Sequence, residues 1–442
     1  MITLKGMTRR QLRKLDQALE TFLDELTADM GRPERQRAME AYVHGLLLDG
    51  ERKSMQPMAA RLVDDPDEAE ALRQRMQECV SQTRWDEREL LKRIARKVES
   101  DLPGVEALVV DDTGFAKKGE MSVGVARQYS GTLGRTDNCQ VAVSLHLASE
   151  AGSACIGFRL YLPESWACDP VRCEKAKVPD DVDFETKWRI SLGQVRDALS
   201  WGVRPHVVLA DAGYGEVTAF RDGLTELGLK YVVGVPGSLV VWAPGAGPDV
   251  PGSAPSSIKT LVMAQPPSAW KTVLRREGSK GPQSSRFCAL RIRTAQGHSK
   301  GRPPGDEQWL LAQWPAGDDE PSHYFLSTLP KSTPRRRLVR LAKLRWRVER
   351  DYQELKGELG LDHFEGRGWP GFHHHAALCA VAHAFLSIQR ALFPPEHQAL
   401  DLADGPAGPS ADPHPEDWHL PALPVQVLAA RPATGAVADL IK

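Results

Sequence analysis

Glu106-Ala-Leu-Val-Val-Asp111-Asp112-Thr-Gly114 is a short apolar run that ends in two adjacent acids and a glycine. It follows Pro103-Gly104, and its length and β-branched content are those of a buried strand. Pro205-His-Val-Val-Leu-Ala-Asp211-Ala-Gly-Tyr-Gly215 repeats the design. In both places an apolar strand leaves the core and delivers a carboxylate where the chain turns. Ligand sites of α/β sheets gather at such strand ends. Between and beyond these runs the pattern predicts strands near 122–129, 139–147, 155–162 and 231–235, and helices near 186–201 and 216–228. Several strands followed by alternating helix and strand predict an α/β fold, a mixed sheet flanked by helices.

The flanking sequence has a different texture. In residues 1–102, Leu12, Leu15, Leu19, Phe22 and Leu23 recur at helical spacing until Gly31-Arg32-Pro33. Further helices are expected near 34–48, 66–82 and 86–99, which makes this region an all-α domain. Residues 237–320 are rich in Pro and Gly, carry Trp242, Trp270, Trp309 and Trp314, and look β-like near 286–294 and 308–313. They read as a β-rich insertion that splits the α/β domain into 103–236 and 321–392. Helices resume at 333–359 and 371–392. Residues 393–442 hold nine prolines and seven acids against two basic residues, a composition that predicts a disordered tail.

Bulk properties narrow the function. The 442 residues are 41% hydrophobic and 26% charged, ordinary for a soluble globular protein. There is no apolar run of about 18 residues to cross a membrane. The N-terminal MITLKGMTRRQLRKLDQ lacks the apolar stretch of a signal peptide, so a cytoplasmic location is expected. Seven cysteines without a CxxC pair argue against a disulfide scaffold, and Cys168 and Cys173 would supply only half a zinc site. A net charge of −1 means that any nucleic-acid affinity must come from local basic surface. No GxSxG, HExxH or P-loop sequence is present, which removes those hydrolase classes.

One segment supplies that basic surface. Lys331, Arg335, Arg336, Arg337, Arg340, Lys343, Arg345, Arg347 and Arg350 crowd into a stretch that also holds Glu349. Arg345, Glu349, Tyr352 and Lys356 fall at i, i+4, i+7 and i+11, one face of a helix. Leu344, Val348, Leu355 and Leu359 form an adjacent apolar stripe able to pack on a sheet. Taken singly, an acid at a strand end caps a turn or helix, and a charged stripe is a solvated face. Together they suggest a metal-binding Glu flanked by cations that grip phosphates, with short, hard Asp ligands suited to Mg²⁺.

The spacing Arg345-x3-Glu349-x6-Lys356 resembles the Y-(2)-R-(3)-E-(6)-K signature of DDE-type bacterial insertion-sequence transposases. The surrounding LRWRVERDYQELKGELGLDHFEGRGWPGFHHHAAL is similar to that family, as are DDTGFAKKG, SVGVARQYSGTLG, NCQVAVSLHLAS and LADAGYG. The likeness covers about residues 104–236 and 321–392. It departs at Ala342, where the signature has tyrosine; Tyr352 lies on the same helical face.

The resemblance implies an RNase H-like catalytic domain in which Asp111, Asp211 and Glu349 hold two Mg²⁺ ions, with Mn²⁺ able to substitute. Asp112 is the alternative to Asp111. Neighbours in a strand face opposite ways, so only one can serve, and the D-x-T spacing to Thr113 favours Asp111. The implied chemistry is metal-dependent strand cleavage followed by strand transfer. Implied partners are double-stranded DNA, as element ends and target, and a second copy of the chain, with a nucleoid-associated location and no membrane. Arg345, Lys356, Arg335, Arg336, Arg337, Lys117 and Lys118 are the expected DNA contacts; region 1–102 reads as a small helical bundle whose position alone makes it a candidate for binding DNA ends. Similar transposases with an insertion here can pass through a hairpin with a tryptophan stacked on a flipped base, which makes the four tryptophans candidates. A descendant that binds DNA without cutting is the rival reading; the presence of all three acids weighs against it. Consecutive His373, His374 and His375 diverge on a helix, so packing or DNA contact is expected of them rather than a shared metal.

Overall fold

The computed structural model describes residues 9–276, 282–298, 301 and 303–392; the expected tail, 393–442, lies outside the described residues. Five helices come first: α1 (Arg9–Thr27), α2 (Pro33–Leu47), α3 (Met55–Leu62), α4 (Pro66–Gln77) and α5 (Glu87–Asp101). Prolines at the first turn start α2 and α4, and the Asp65 and Asp86 carboxylates accept backbone N–H bonds at the starts of α4 and α5.

Strands β1 (Ala107–Ala116), β2 (Ala126–Ser130), β3 (Arg135–Ala148) and β4 (Ser153–Leu160) follow, and the long β3 pairs antiparallel with the other three. Expected strand 122–129 begins later than its apolar pattern suggested, because residues 122–125 form a turn. Short helices α6 (Glu164–Ala167) and α7 (Pro170–Lys175) lead to α8 (Lys187–Ser200), β5 (Val207–Ala210), α9 (Ala212–Gly215), α10 (Thr218–Glu226) and β6 (Tyr231–Val235). Strand β5 lies parallel between β1 and β6. The order β4-β3-β1-β5-β6, with its antiparallel half and its parallel half, is the RNase H-like arrangement.

The β-rich segment holds β7 (Val240–Trp242), β8 (Ser256–Ser257), α11 (Ile258–Met263), β9 (Trp270–Arg276), β10 (Pro282–Thr294) and β11 (Gln308–Pro315). It returns through β12 (His323–Ser327), which pairs antiparallel with both β11 and β6. These strands therefore extend the same sheet. The described residues close with α12 (Arg335–Leu344), α13 (Trp346–Gln353) and α14 (Trp369–Leu392).

Strand alternation sorts the core into two layers. Leu108 and Val110 of β1 and Val208 and Ala210 of β5 join a large cluster with α8, α10, α14 and the N-terminal helices. Ala107 and Val109, with Val207 and Leu209, join a smaller cluster with Leu338, Leu341 and Leu344 of α12. Burial on both faces explains why these strands read as continuous apolar runs. The N-terminal helices share their core with α14, where Phe22 meets Phe385 at a ring distance of 5.5 Å and Tyr42 Oη bonds His375 Nδ1 at 2.9 Å.

The single helix expected over 333–359 is corrected. It breaks at Arg345, and residues Glu354–Glu358 widen into a π-helical turn. The apolar stripe shows the reason for the π turn. Leu344 and Val348 belong to the smaller cluster, whereas Leu355 and Leu359 belong to the larger one. No straight helix serves both faces of a sheet. Tyr352, packed against both clusters, marks the crossing.

Gly215 ends α9 where it presses on β6: a Cβ there would stand 1.9 Å from the Gly234 carbonyl oxygen. Gly215→Ala is expected to destabilise the protein by about 1–3 kcal/mol through overpacking. Thermal unfolding measures this, and an unchanged melting temperature would mean that α9 does not sit against β6.

Candidate active site

Alternation along β1 carries Asp111 to the face covered by α12 and α13, in step with Ala107 and Val109, and sends Asp112 to the opposite face. The β1–β5 register pairs Ala107 with Val207 and Val109 with Leu209. Extended by two residues, it sets Asp111 beside Asp211, just past the end of β5. Asp211 also caps α9, accepting from the Tyr214 N–H at 3.2 Å. Glu349 approaches from α13 and is exposed. All three carboxylates, with Asp112, line one cavity of about 900 Å³.

Between them lies Arg345. Its Nη1 donates to Asp111 Oδ2 at 2.8 Å and its Nη2 to Glu349 Oε1 at 3.0 Å. Burial pushes the Asp111 carboxyl up to about 7; Arg345 pulls against this, and the Asp211 charge reinforces it. Burial disfavours the charged guanidinium, but Asp111, Glu349 and Asp211 outweigh it and hold its pKa above the usual range. Asp112 has separate partners on the other face: Lys187 Nζ at 3.1 Å and the Tyr214 hydroxyl at 3.3 Å.

The expected phosphate contacts are placed unevenly. Arg345 is spent on the acids. Lys356 Nζ donates to the Gly114 carbonyl at 2.7 Å and stands 5.0 Å over the Phe115 ring, and burial lowers its pKa to about 8. Lys117 Nζ donates to the Phe364 carbonyl at 2.9 Å, while Lys118 is exposed. Both line a neighbouring cleft of about 680 Å³ that shares Asp362 and His363 with the main cavity. Arg336 and Arg337 are exposed on α12, and Arg335 is half-buried. Ala342 is buried in the smaller apolar cluster, away from the cavity, whereas Tyr352 lines it.

Sequence reasoning missed Lys187, Trp188, Tyr129 and Tyr214 as cavity residues. Tyr214, inside LADAGYG, and Tyr129, inside SVGVARQYSGTLG, had a signal; Lys187 and Trp188 had none. The four tryptophans of the β-rich segment do not line the cavity. Trp242 is buried, Trp270 packs edge-on against Trp314, and the Trp309 indole donates to the Pro330 carbonyl. The three histidines are buried and divided among separate partners: His373 accepts from the Leu160 N–H, His374 stacks on Trp85, and His375 meets Tyr42. They pack, as expected.

The donor set is all carboxylate oxygen, which suits Mg²⁺ or Mn²⁺. The buried negative charge at Asp111 and Asp211 is what such an ion would neutralise. Among the described residues no three ligating side chains converge closely enough to hold an ion. The geometry gives the reason: the Arg345 guanidinium fills the space between Asp111 and Glu349. The residues fit the cation in chemistry, and Arg345 must withdraw for Asp111 and Glu349 to share one.

A family model described as DDE superfamily endonuclease matches residues 22–297, more than half of the chain. The chain belongs to the DDE superfamily endonucleases. The matched span contains Asp111 and Asp211 and stops short of Glu349, so the third acid rests on its position in the cavity. The chain is also 34% identical, over 129 residues, to the probable transposase for insertion sequence element IS701 of Microchaete diplosiphon. That match covers 29% of this chain and 31% of the relative, so the chain spans about a third of that protein's length. No helix among the described residues is long and apolar enough to cross a membrane.

The raised Asp111 pKa has a measurable consequence in chelator. A carboxyl whose folded pKa exceeds its unfolded value of about 4 costs stability once ionised. The loss begins above about pH 4 and is complete above about pH 7. Asp111→Asn removes this titration. Its stability relative to the parent is expected to rise between those limits and then level off, followed by urea unfolding across the pH range. A pH-independent difference would contradict the burial of Asp111.

Proposed function

We propose that this endonuclease cuts and joins DNA as the transposase of an insertion sequence, with Asp111, Asp211 and Glu349 holding two divalent cations, Mg²⁺ or in its place Mn²⁺. The observation that carries the reading is the alignment of Asp111 and Asp211 at the ends of neighbouring parallel strands, with Glu349 facing them across one cavity. Bound there, the cations would supply Lewis acidity for attack at phosphorus and for stabilising the leaving oxygen.

The chain's own residues have distinct tasks in this scheme. Asp111 and Asp211 are fixed by the sheet. Glu349 sits on an exposed helix face and is the ligand with freedom to adjust. Arg345 holds the acids together until it is displaced. Its guanidinium, once released, suits bidentate contact with a backbone phosphate. Arg335, Arg336 and Arg337 on α12, and Lys117 and Lys118 in the adjoining cleft, extend a basic track away from the cavity. Water attack at an element end would free a 3′-hydroxyl, and attack by that hydroxyl on target DNA would join the strands, with no covalent protein intermediate. Two ends have to be brought together, which assigns a homodimer on DNA. Region 1–102 is assigned to binding the ends.

Glu349→Gln is expected to abolish Mg²⁺-dependent nicking of duplex DNA from the borders of the gene and to leave DNA binding within a few-fold. Nicking at the parental rate would refute the assignment of Glu349. Replacing Arg336 and Arg337 together by Ala is expected to lower the slope of log affinity against log salt by about 2, near 0.9 for each lost phosphate contact. An unchanged slope would remove α12 from the DNA track.

A further inference from the structure

Beneath α13 a chain of buried polar groups runs toward the cavity. Asp351, two residues beyond Glu349, is buried. Its Oδ1 accepts from the Ser153 hydroxyl at 2.6 Å, and its Oδ2 lies 2.8 Å from His146 Nδ1 on β3. His146 Nε2 lies 2.9 Å from Ser144 Oγ, and Ser144 Oγ lies 2.6 Å from the Tyr352 hydroxyl. Carboxylate, imidazole, hydroxyl and phenol thus form one line. His146 and Ser144 are fully buried, and the His146 and Tyr352 rings meet edge-on at 5.6 Å. Tyr352 ends the line in the wall of the cavity. Asp111 and Asp112 lie close enough to add to the burial that holds the phenol proton on.

Donor and acceptor roles follow from the chemistry at each end. Asp351 only accepts, so His146 Nδ1 donates to it. Burial opposes a charge on His146, but neighbouring Cys155 and Asp351 outweigh it and push the imidazole up to about 10; Tyr352 meets it edge-on, and His383, whose own pKa burial lowers, stands 3.6 Å from Asp351. A charged imidazole donates from Nε2 as well. Ser144 Oγ then accepts from His146 and gives its own proton to the Tyr352 oxygen. The phenol proton is left without an acceptor inside the protein and is directed at the cavity.

Resting on the reading of this cavity as a DNA-cutting site, we infer that the Tyr352 hydroxyl donates a hydrogen bond to a non-bridging phosphate oxygen of the strand held there, aimed by a buried relay through Ser144, His146 and Asp351. Tyr352 touches the substrate in this scheme; the other three are positioning residues. A neutral imidazole would keep its Nδ1 donor on Asp351 but accept at Nε2 from Ser144, which would then accept from Tyr352 and leave the phenol offering only lone pairs, which repel a phosphate. The relay thereby fixes the sign of the contact as well as its place.

The test compares Tyr352→Phe, which removes only the hydroxyl, with the parent. Affinity is measured in EDTA on duplex DNA from the borders of the gene, then on the same duplex carrying a neutral methylphosphonate at one position at a time across the cleavage junction. Y352F is expected to bind the normal duplex about tenfold more weakly, the scale of one hydrogen bond to a charged group. At one methylphosphonate position the two proteins are expected to bind equally. Ser144→Ala, which leaves the phenol in place, is expected to weaken binding too, and to add no further loss in the Y352F background. Equal binding of parent and Y352F to the normal duplex, a deficit that persists at every methylphosphonate position, or multiplying losses from the two substitutions would each overturn the inference. Failure of the parent to nick this DNA with Mg²⁺ would sink the nuclease reading separately, because the comparison in EDTA does not depend on cleavage.

Discussion

Two carboxylates at the ends of adjacent parallel strands repel each other, and burial makes that repulsion expensive. In this protein Arg345 answers the problem. Its guanidinium spans Asp111 on the sheet and Glu349 on the helix, and so ties the two halves of the site together. The neighbouring architecture serves this bridge. Arg345 is the single residue between α12 and α13. A cation in the centre of a carboxylate site is a satisfied arrangement at rest and a displaceable one when a stronger positive charge arrives.

The sheet supplies the rigid half. Strands β1 and β5 are buried on both faces, so their register is locked by packing on two sides, and the positions of Asp111 and Asp211 follow from it. The β-rich segment adds to this frame by extending the sheet through β12, β11 and β10. The N-terminal helices share a core with α14, which packs on β4 and brings Arg390 to Glu354 in the π turn. The helix carrying Glu349 is therefore held from the sheet side by Asp351 and from the α14 side by Glu354.

This double attachment explains why polar groups are buried beneath α13. Asp351 accepts from two strands, β3 and β4, and a charged imidazole beside it offsets part of the cost of burying a carboxylate. Such a network fixes the rotation of a helix more tightly than apolar contacts do, because its bonds are directional. Glu349 stands two residues before Asp351 and Tyr352 one residue after it, so one anchor orients both.

Sequence alone determined the strands of the RNase H-like core and two of the acids, because a strand buried on both faces writes itself as an apolar run and an acid at its end interrupts that run. It also separated Asp111 from Asp112, since alternation sets them on opposite faces, but which of those faces α12 and α13 cover was not written in it. Tertiary structure decided the rest. The π turn at Glu354–Glu358 arises where one apolar stripe passes from one core cluster to the other, which periodicity along the chain does not encode. Arg345 and Lys356 read as phosphate grips but are held by Asp111 and by the Gly114 carbonyl. Lys187, Trp188 and the line from Asp351 to Tyr352 were invisible because their partners are far apart in the chain. Hydrogen bonds between such residues exist only once the sheet has set the distance.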